Sequence, residues 1–268
     1  MADQIRITSI SNQIIKEVRS LRNKKGRISA QSILLEGYRL VKEAVDSGAE
    51  IRYFIVSDSF LTKEEFFLPQ VSNIRVVQVP DELFGRISET QTPQGIIAVA
   101  KVPIYNQKDI IKNASQVIVL ENLQDPGNLG TIIRSADACG FDAVLLSKES
   151  ADPYNPKVIR STMGSIFHIP VIIVEDIYQV LDDLKARKVF LAAAHTRDAL
   201  PCWNADMSGN VAIIIGNEGN GLSDMIIEKA DRTIMIPMTG RAESLNASAA
   251  ASMLIYECMR QRVKNKIC

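Results

Sequence analysis

The sequence predicts an α/β fold with two α/β domains, the second of them built on a parallel sheet. Short apolar runs rich in β-branched residues recur along the chain, and amphipathic segments with helical spacing lie between them. Because a helix between two strands usually connects parallel neighbours, this alternation is typical of βαβ units. A weaker stretch over 102–115 interrupts the alternation. We therefore predict a first domain at 1–105, a linker at 106–115 and a second domain at 116–268.

The first domain is predicted to alternate strands with short helices. Apolar positions recur with helical spacing over 38–45 and end at Ser47-Gly48. Asp81 is a suitable N-cap for a short helix that continues to Ile87. The predicted strands lie at 32–36, 51–56, 74–79 and 95–100.

The second domain repeats the pattern with more strands. Its first helix, predicted at 128–139, has an apolar stripe that includes Leu129, Ile132 and Ile133, and Gly140 ends it. The predicted strands lie at 116–120, 143–146, 169–174, 189–193, 211–215 and 233–236. The remaining predicted helices lie at 156–163, 177–187, 223–230 and 245–263.

Composition indicates an ordinary globular protein with basic ends. Of 268 residues, 46% are hydrophobic and 23% charged, and the formal net charge is zero. Seven Lys and Arg residues lie within 1–30, and four more follow Cys258 without an acid among them. Such segments can bind a phosphate backbone, or they can simply be solvated helix faces. Charge alone leaves both interpretations open.

The cysteines and histidines do not show the spacing of a metal-binding site. Cys139, Cys202, Cys258 and Cys268 show no CxxC spacing, and the chain has only two histidines. We find no signal peptide and no apolar run long enough to span a bilayer. The sequence therefore predicts a protein of the reducing cytoplasm that uses neither a metal nor a membrane.

The first candidate motif lies at 122–134, directly after a predicted strand. Asp125-Pro126-Gly127 favours a tight turn, and Asn128 is placed to cap the following helix. Arg134 falls on the polar side of that helix. The motif is either a capped helix with a surface arginine or part of a binding site.

The second motif, 216–222, follows another predicted strand and contains three glycines in six residues. Glycine lets a ligand approach the backbone closely. The spacing is G-x-x-G-x-G, which differs from the dinucleotide fingerprint G-x-G-x-x-G, and no Gly-Lys-Ser/Thr follows as in a P-loop. The alternative interpretation is a flexible connection.

The third motif, 236–246, joins a strand to a helix that begins with small residues. Pro237 ends the strand, Gly240 bends the chain, and Ser244-Leu245-Asn246 opens the helix. Small residues allow close packing, against a helix or against a ligand loop. Since ligands of open α/β sheets bind at the carboxyl ends of the strands, we expect the three motifs to form one composite site.

In this order and spacing, the three motifs resemble the signature motifs of the SpoU-type (TrmH-like) RNA ribose 2′-O-methyltransferases. The resemblance runs from Asn122 to Asn246 and shows no departure at the key motif positions. The first hundred residues are similar to the substrate-binding domain often fused ahead of that catalytic domain. This second similarity depends on Leu35-Glu36-Gly37 before a helix and on Thr92-Pro93-Gln94-Gly95 before a strand.

The resemblance implies a fold, a cofactor and partners. It implies a trefoil knot in the C-terminal domain, a small α/β RNA-binding domain ahead of it, and a homodimer formed through the C-terminal domain. It implies S-adenosylmethionine as the cofactor and RNA, most specifically ribosomal RNA, as the substrate. The residues expected at the cofactor are Gly216, Gly221, Ile236, Leu245 and Asn246.

The resemblance also implies catalytic residues. Arg134 matches the family's proposed base, although a guanidinium is normally protonated, so it acts either as a base or as a cation that stabilises charge. The other residues expected to act in catalysis are Asn128, Glu218, Ser244 and Asn246. The residues expected to contact RNA are Lys24, Lys25, Arg27 and Arg134.

Two other functions are possible for such a chain. A protein of the same fold that binds RNA or assists ribosome assembly without turnover would not need the intact motif residues. A nucleotide-dependent oxidoreductase is disfavoured because the glycine spacing differs from the dinucleotide fingerprint.

Overall fold

A computed structural model of the chain describes residues 4–62, 74–196 and 198–267. The strands in chain order are β1 Gln4–Arg6, β2 Ser32–Glu36, β3 Ile51–Ser57, β4 Arg75–Val79, β5 Ile96–Lys101, β6 Gln116–Leu120, β7 Ala143–Leu146, β8 Val171–Ile173, β9 Phe190–Ala194, β10 Leu200–Pro201, β11 Val211–Ile215 and β12 Arg232–Met235. The α-helices are α1 Gln13–Ser20, α2 Lys24–Ala30, α3 Tyr38–Asp46, α4 Asp58–Leu61, α5 Asp81–Ile87, α6 Gln107–Asn113, α7 Pro126–Ala138, α8 Pro156–Thr162, α9 Ile177–Ala186, α10 Asp224–Lys229 and α11 Ala247–Ile267.

The chain forms two compact units. The first comprises Met1–Ile104 with Tyr154–Phe167, and the second comprises Tyr105–Pro153 with His168–Cys268. The sequence placed the segment around α8 in the second domain, whereas its Ile159 is buried in a core cluster of the first unit. Helix α6 lies within the predicted linker, and its Ile111 is buried in the core of the second unit.

The first unit contains a five-stranded mixed sheet in the order β1-β4-β3-β5-β2. Strand β5 is antiparallel to β2 and β3, while β4 is parallel to β1 and β3. Buried apolar clusters cover the two faces of this sheet. The four predicted strands are confirmed, whereas β1, α1, α2 and α4 had not been predicted.

The second unit contains a seven-stranded sheet in the order β10-β12-β9-β11-β6-β7-β8. Every recorded pair in it is parallel, which confirms the predicted parallel sheet. Strands β6 and β11 are neighbours and are buried along their whole length, as expected for strands with helices on both faces. Ile215 pairs with Leu120, so the loops after these two strands begin side by side. Strand β12 ends at the same edge of the sheet, two strands away from β11.

Candidate active site at the carboxyl edge of the parallel sheet

The loop after β6 is anchored by Asp125. Its side chain accepts a hydrogen bond from the backbone N–H of Asn128 at 2.8 Å and caps α7, whose first residue is Pro126. Proline is favoured at this position because the missing N–H would have no partner in the helix. The prediction that Asn128 caps the helix was wrong, since Asn128 lies inside the first turn and its side chain is free to make other bonds.

The loop after β11 is a tight turn that requires glycine. Asn217 and Gly221 exchange two backbone hydrogen bonds of 2.9 Å, and Gly221 has φ of +70°. A Cβ on Gly216 would overlap the Gly221 carbonyl group, so position 216 excludes any larger residue. The Asn217 side-chain amide donates to the backbone oxygen of Asn122 at 2.8 Å and thereby ties this loop to the first one.

Glu218 projects from that turn toward the first loop. Its carboxylate accepts hydrogen bonds from the backbone N–H groups of Gln124 at 3.1 Å and Asp125 at 3.0 Å. It also accepts one from Nδ2 of Asn128 at 3.0 Å. Partial burial would raise the pKa of Glu218, but these hydrogen bonds together outweigh it and hold the pKa below its ordinary value. The side chain is therefore a carboxylate at neutral pH.

The third motif completes a chain of side-chain hydrogen bonds. Nδ2 of Asn246 donates to Oδ1 of Asn128 at 3.0 Å. Oδ1 of Asn246 accepts from the backbone N–H groups of Ser248 and Ala249 and so caps the start of α11. Asn128 thus contacts Glu218 with one end of its amide and Asn246 with the other. All three motifs therefore meet at the buried side chain of Asn128, as expected for one composite site.

A cavity of about 450 Å³ opens beside this chain of bonds. Four of the five residues predicted at the cofactor line it, namely Gly216, Gly221, Ile236 and Leu245, together with the predicted Glu218 and Ser244. The fifth predicted residue, Asn246, does not line it.

The cavity also has walls that the sequence did not reveal. They include His195 and Thr196 after β9 and Leu254 on α11. Ala247 and Ala250 also line the cavity, and they belong to the run of small residues that was predicted to pack against a helix or a ligand loop. The position of His195, two residues after the predicted strand 189–193, was a signal that could have identified it.

Arg134 lies apart from the hydrogen-bonded chain. It is on α7, six positions after Asn128, and its side chain is exposed. Within the described ranges its guanidinium makes no hydrogen bond and no ion pair. It does not line the cavity. The guanidinium is therefore available to a ligand outside the protein.

A buried carboxylate, Glu121, also supports the site, and it was missed from the sequence. It is 3% exposed and accepts hydrogen bonds from the N–H and Oγ of Ser223 at 2.8 and 2.7 Å. These bonds fix the segment that follows the glycine turn. An acidic residue directly after a buried strand was the signal that could have identified it.

Of the three residues in the first unit that were predicted to contact RNA, two are exposed and one is buried. Lys24 and Lys25 are exposed at the start of α2. Arg27 is only 4% exposed, and its Nη1 donates to the backbone oxygens of Leu21 and Arg22 at 2.8 Å each. The predicted RNA contact of Arg27 therefore does not fit the structure, because the guanidinium is buried against the end of α1.

The described residues contain neither a metal-binding group of side chains nor a membrane-spanning helix. They include no group of three or more His, Cys, Asp or Glu side chains placed to hold a metal ion. Among them we also find no helix with the length and apolarity needed to cross a bilayer. That the protein works without a metal ion stays a prediction.

The chain is similar to several known RNA methyltransferases in sequence and in structure. A 23S rRNA (guanosine(2553)-2′-O)-methyltransferase, RlmP, from Bacillus subtilis is 36% identical, over 93% of this chain and 97% of its own. The AdoMet-bound rRNA methyltransferase from Sinorhizobium meliloti has a TM-score of 0.82 at 30% identity, covering 96% of this chain and 98% of its own. The SpoU methyltransferase AviRb from Streptomyces viridochromogenes, in complex with AdoMet, has a TM-score of 0.83 at 29% identity, covering 94% of this chain and 100% of its own.

Family matches cover both parts of the chain. Residues 12–98 match the MRM3-like substrate binding domain. Residues 115–256 match the SpoU rRNA Methylase family, and this range includes all three motifs that meet at Asn128. The chain belongs to the SpoU rRNA methylase family.

Proposed function

We propose that this protein transfers a methyl group from S-adenosylmethionine to a ribose 2′-hydroxyl of ribosomal RNA. The observation that supports this most is the hydrogen-bonded chain Glu218–Asn128–Asn246, which joins the three family motifs beside a cavity. The Bacillus relative is named as a 23S rRNA 2′-O-methyltransferase. A 2′-hydroxyl distinguishes RNA from DNA, so RNA is the substrate class.

The cavity fits the proposed cofactor in size and chemistry. Its volume of about 450 Å³ is within the range of small-molecule sites, and its lining combines apolar side chains with residues at the ends of β9, β11 and β12. We assign the cofactor to Gly216, Gly221, Ile236 and Leu245, with Ser244 and Asn246 next to them in the chain. When bound, S-adenosylmethionine supplies an electrophilic methyl group, so the protein itself has mainly to orient the acceptor.

Arg134 is proposed as the catalytic side chain on the RNA side. Its exposed guanidinium makes no hydrogen bond or ion pair to the described protein residues. As a planar cation with several N–H donors, it can bind the phosphate next to the target ribose and stabilise the alkoxide that forms as the hydroxyl loses its proton. A role as a neutral base requires a deprotonated guanidine, which folded proteins rarely provide.

The remaining motif residues are proposed to position this machinery. Glu218 has a lowered pKa and accepts hydrogen bonds from three donors, so it is a weak base and a strong anchor for the loop before α7. Asn128 uses both ends of its amide inside the protein, which suits an orienting role. Ser244 is exposed on the cavity wall and is assigned to the nucleotide, together with Asn246.

A homodimer through the second unit is part of the proposal. Small residues let α11 pack on α7 within the chain, where Ser135 Oγ and Ser252 Oγ are 2.8 Å apart. On α11, Met253, Tyr256 and Val263 recur with helical spacing and remain exposed, between 45% and 57%. Such an apolar stripe suits a partner helix. A cytoplasmic location and the trefoil knot stay predictions.

The experiment that tests the activity is methyl transfer from tritiated S-adenosylmethionine to total ribosomal RNA. We expect label in ribosomal RNA and calorimetric binding of S-adenosylmethionine but not of NAD. Cofactor binding without transfer to ribosomal RNA or ribosomal subunits would instead favour an RNA-binding or ribosome-assembly protein without turnover. Binding of NAD alone would favour an oxidoreductase.

A further inference from the structure

A basic cleft lies where α1 meets α2 in the first unit, and no residue assigned to catalysis or to the cofactor contributes to its lining. Its volume is about 450 Å³, and we call it the α1–α2 corner. Every side chain that lines it is basic or polar: Lys16, Arg19, Ser20, Arg22 and Asn23. No carboxylate and no aromatic ring contributes to the lining.

The corner is built by two residues beneath it. A Cβ on Gly26 would overlap the backbone oxygen of Ser20, so only glycine lets α2 cross the end of α1 this closely. The buried guanidinium of Arg27 donates to the oxygens of Leu21 and Arg22 at 2.8 Å each and satisfies carbonyls at the end of α1. The shape of the cleft is therefore fixed by the fold.

The charge of the corner is only partly compensated. Lys16 and Arg19 are exposed, and their side chains make no ion pair with the described residues. The acid of the same helix, Glu17, is engaged elsewhere, by Arg52 and by the Tyr53 hydroxyl. The side chains of α1 that face the cleft therefore keep a net positive charge.

Arg22 differs from the other cations in being fixed. Its Nη2 donates to the backbone oxygen of Ser88 at 2.9 Å, and its Nε lies 3.5 Å from the Glu89 carboxylate. That carboxylate also pairs with Arg160 at 3.1 Å, so it is shared between two guanidinium groups. Exposed Lys24 and Lys25 follow the corner directly and extend the positive surface.

We infer that the α1–α2 corner binds the sugar–phosphate backbone of the RNA substrate without reading its base sequence. This inference rests on the proposed function. Lysine and arginine bind phosphates, whereas sequence is recognised through base edges and aromatic stacking, for which this lining has no aromatic side chain. The corner thus adds affinity for any RNA, and the choice of nucleotide is made by other residues.

An anionic membrane surface is the competing partner for a basic patch. Stable binding in a membrane interface needs a broad apolar face, and the lining of the corner contains no apolar side chain. RNA is therefore the partner that the observations favour, and vesicles of phosphatidylserine serve as a control ligand in the test.

The test uses the full chain and the variant Lys16→Gln/Arg19→Gln. The matched control is Lys42→Gln/Lys101→Gln, which removes two positive charges from other exposed positions of the same unit. Fluorescence anisotropy measures affinity for a ribosomal RNA fragment and for an unrelated RNA of equal length at several salt concentrations. Calorimetry with S-adenosylmethionine and thermal melting show whether the second unit and the fold are intact.

We expect the corner variant to bind both RNAs more weakly by the same factor. The slope of log affinity against log salt should become less steep by about 1.4, because each single-strand phosphate that a protein cation neutralises contributes about 0.7 to that slope. Cofactor affinity and melting temperature should stay unchanged, and the control variant should bind like the wild type.

Three results would overturn the inference. They are an unchanged salt slope, a weakening confined to the ribosomal fragment, and a weakening equal to that of the control variant. Wild-type binding to the vesicles that depends on Lys16 and Arg19, with RNA binding retained in the variant, would assign the corner to a membrane instead. If the wild type binds RNA as expected but transfers no methyl group, the proposed function fails while the corner remains an RNA-binding surface.

Discussion

Nδ2 of Asn246 donates a hydrogen bond to Oδ1 of Asn128 at 3.0 Å across 118 positions of sequence. Asn128 in turn donates to Glu218, so removal of either asparagine breaks the same chain. Residues in one hydrogen-bond network couple energetically by about 0.5–3 kcal/mol. We therefore predict that Asn128→Ala and Asn246→Ala are not additive in unfolding free energy. Denaturant unfolding of the two single variants and the double variant measures this coupling, and strict additivity would refute the network.

Gly216 and Gly219 lie in the same turn but in different surroundings. A Cβ at 216 would overlap the Gly221 carbonyl, whereas one at 219 would lie an ordinary 3.5 Å from Oδ1 of Asn217. We predict that Gly216→Ala weakens cofactor binding and lowers the free energy of unfolding by about 1–3 kcal/mol, as overpacking does. Gly219→Ala is the matched control and should change stability by less than about 0.5 kcal/mol. Equal effects of the two variants in calorimetry and denaturant unfolding would contradict the assigned turn geometry.

Glu218 makes stability depend on pH in a defined direction. Its folded-state pKa is lowered by hydrogen bonds to the carboxylate, so its stabilisation is present above the ordinary value of 4.5 and is lost as the pH falls through the folded-state pKa. We predict that Glu218→Gln melts at a lower temperature than the wild type at pH 7. The difference should shrink below about pH 4.5. Thermal melts across this range provide the measurement, and a difference that does not change with pH would argue against an ionised anchor.

Substitution of Arg134 should lower the rate of methyl transfer without changing the affinity for the cofactor. It does not line the cavity, and its guanidinium is exposed. Loss of one electrostatic group that acts on the transition state typically reduces kcat by about 10²–10³. We predict a loss of at least this size for Arg134→Ala, with nearly unchanged affinity for S-adenosylmethionine by calorimetry. Full turnover in the variant would remove Arg134 from the catalytic residues.

Substitutions at Arg27 and at the neighbouring Lys24 and Lys25 should have different effects, the first on stability and the second on RNA binding. Because the Arg27 guanidinium is buried and hydrogen-bonded, Arg27→Met should lower the free energy of unfolding by about 1–3 kcal/mol. Lys24→Gln/Lys25→Gln concerns exposed side chains and should leave stability within about 0.5 kcal/mol. The lysine variant should instead flatten the salt dependence of RNA binding. A stable Arg27→Met protein with a flattened salt dependence would reinstate Arg27 as a phosphate contact.

Periodicity predicted the strands and the position of the site well. Strands β6 and β11 are buried along their whole length, as expected where helices cover both faces of a sheet. The three polar motifs follow β6, β11 and β12, as expected. The family resemblance supplied which residues of these loops matter. Gly216, Gly221, Ile236 and Leu245, which the resemblance named for the cofactor, all line the cavity.

One error arose where one local rule had two candidate residues, and two others arose from tertiary packing. Asp125 and Asn128 are both good caps, and Pro126 decides between them because it takes the first helical position and leaves Asp125 as the cap. Arg27 resembled its exposed neighbours in sequence, and only the crossing of α1 and α2 buries it. The long-range placement of Ile159 in the first unit has no local signal either, since it depends on tertiary packing.

The most direct test of the account is the chemical position of the transferred methyl group. Ribosomal RNA labelled by the purified enzyme with tritiated S-adenosylmethionine would be hydrolysed in alkali and analysed by mass spectrometry. We predict that the label remains in an alkali-resistant dinucleotide, because a 2′-O-methyl group blocks cleavage at the adjacent phosphate. Label recovered on a base in an ordinary mononucleotide, or no label in RNA from an enzyme that binds the cofactor, would contradict the account.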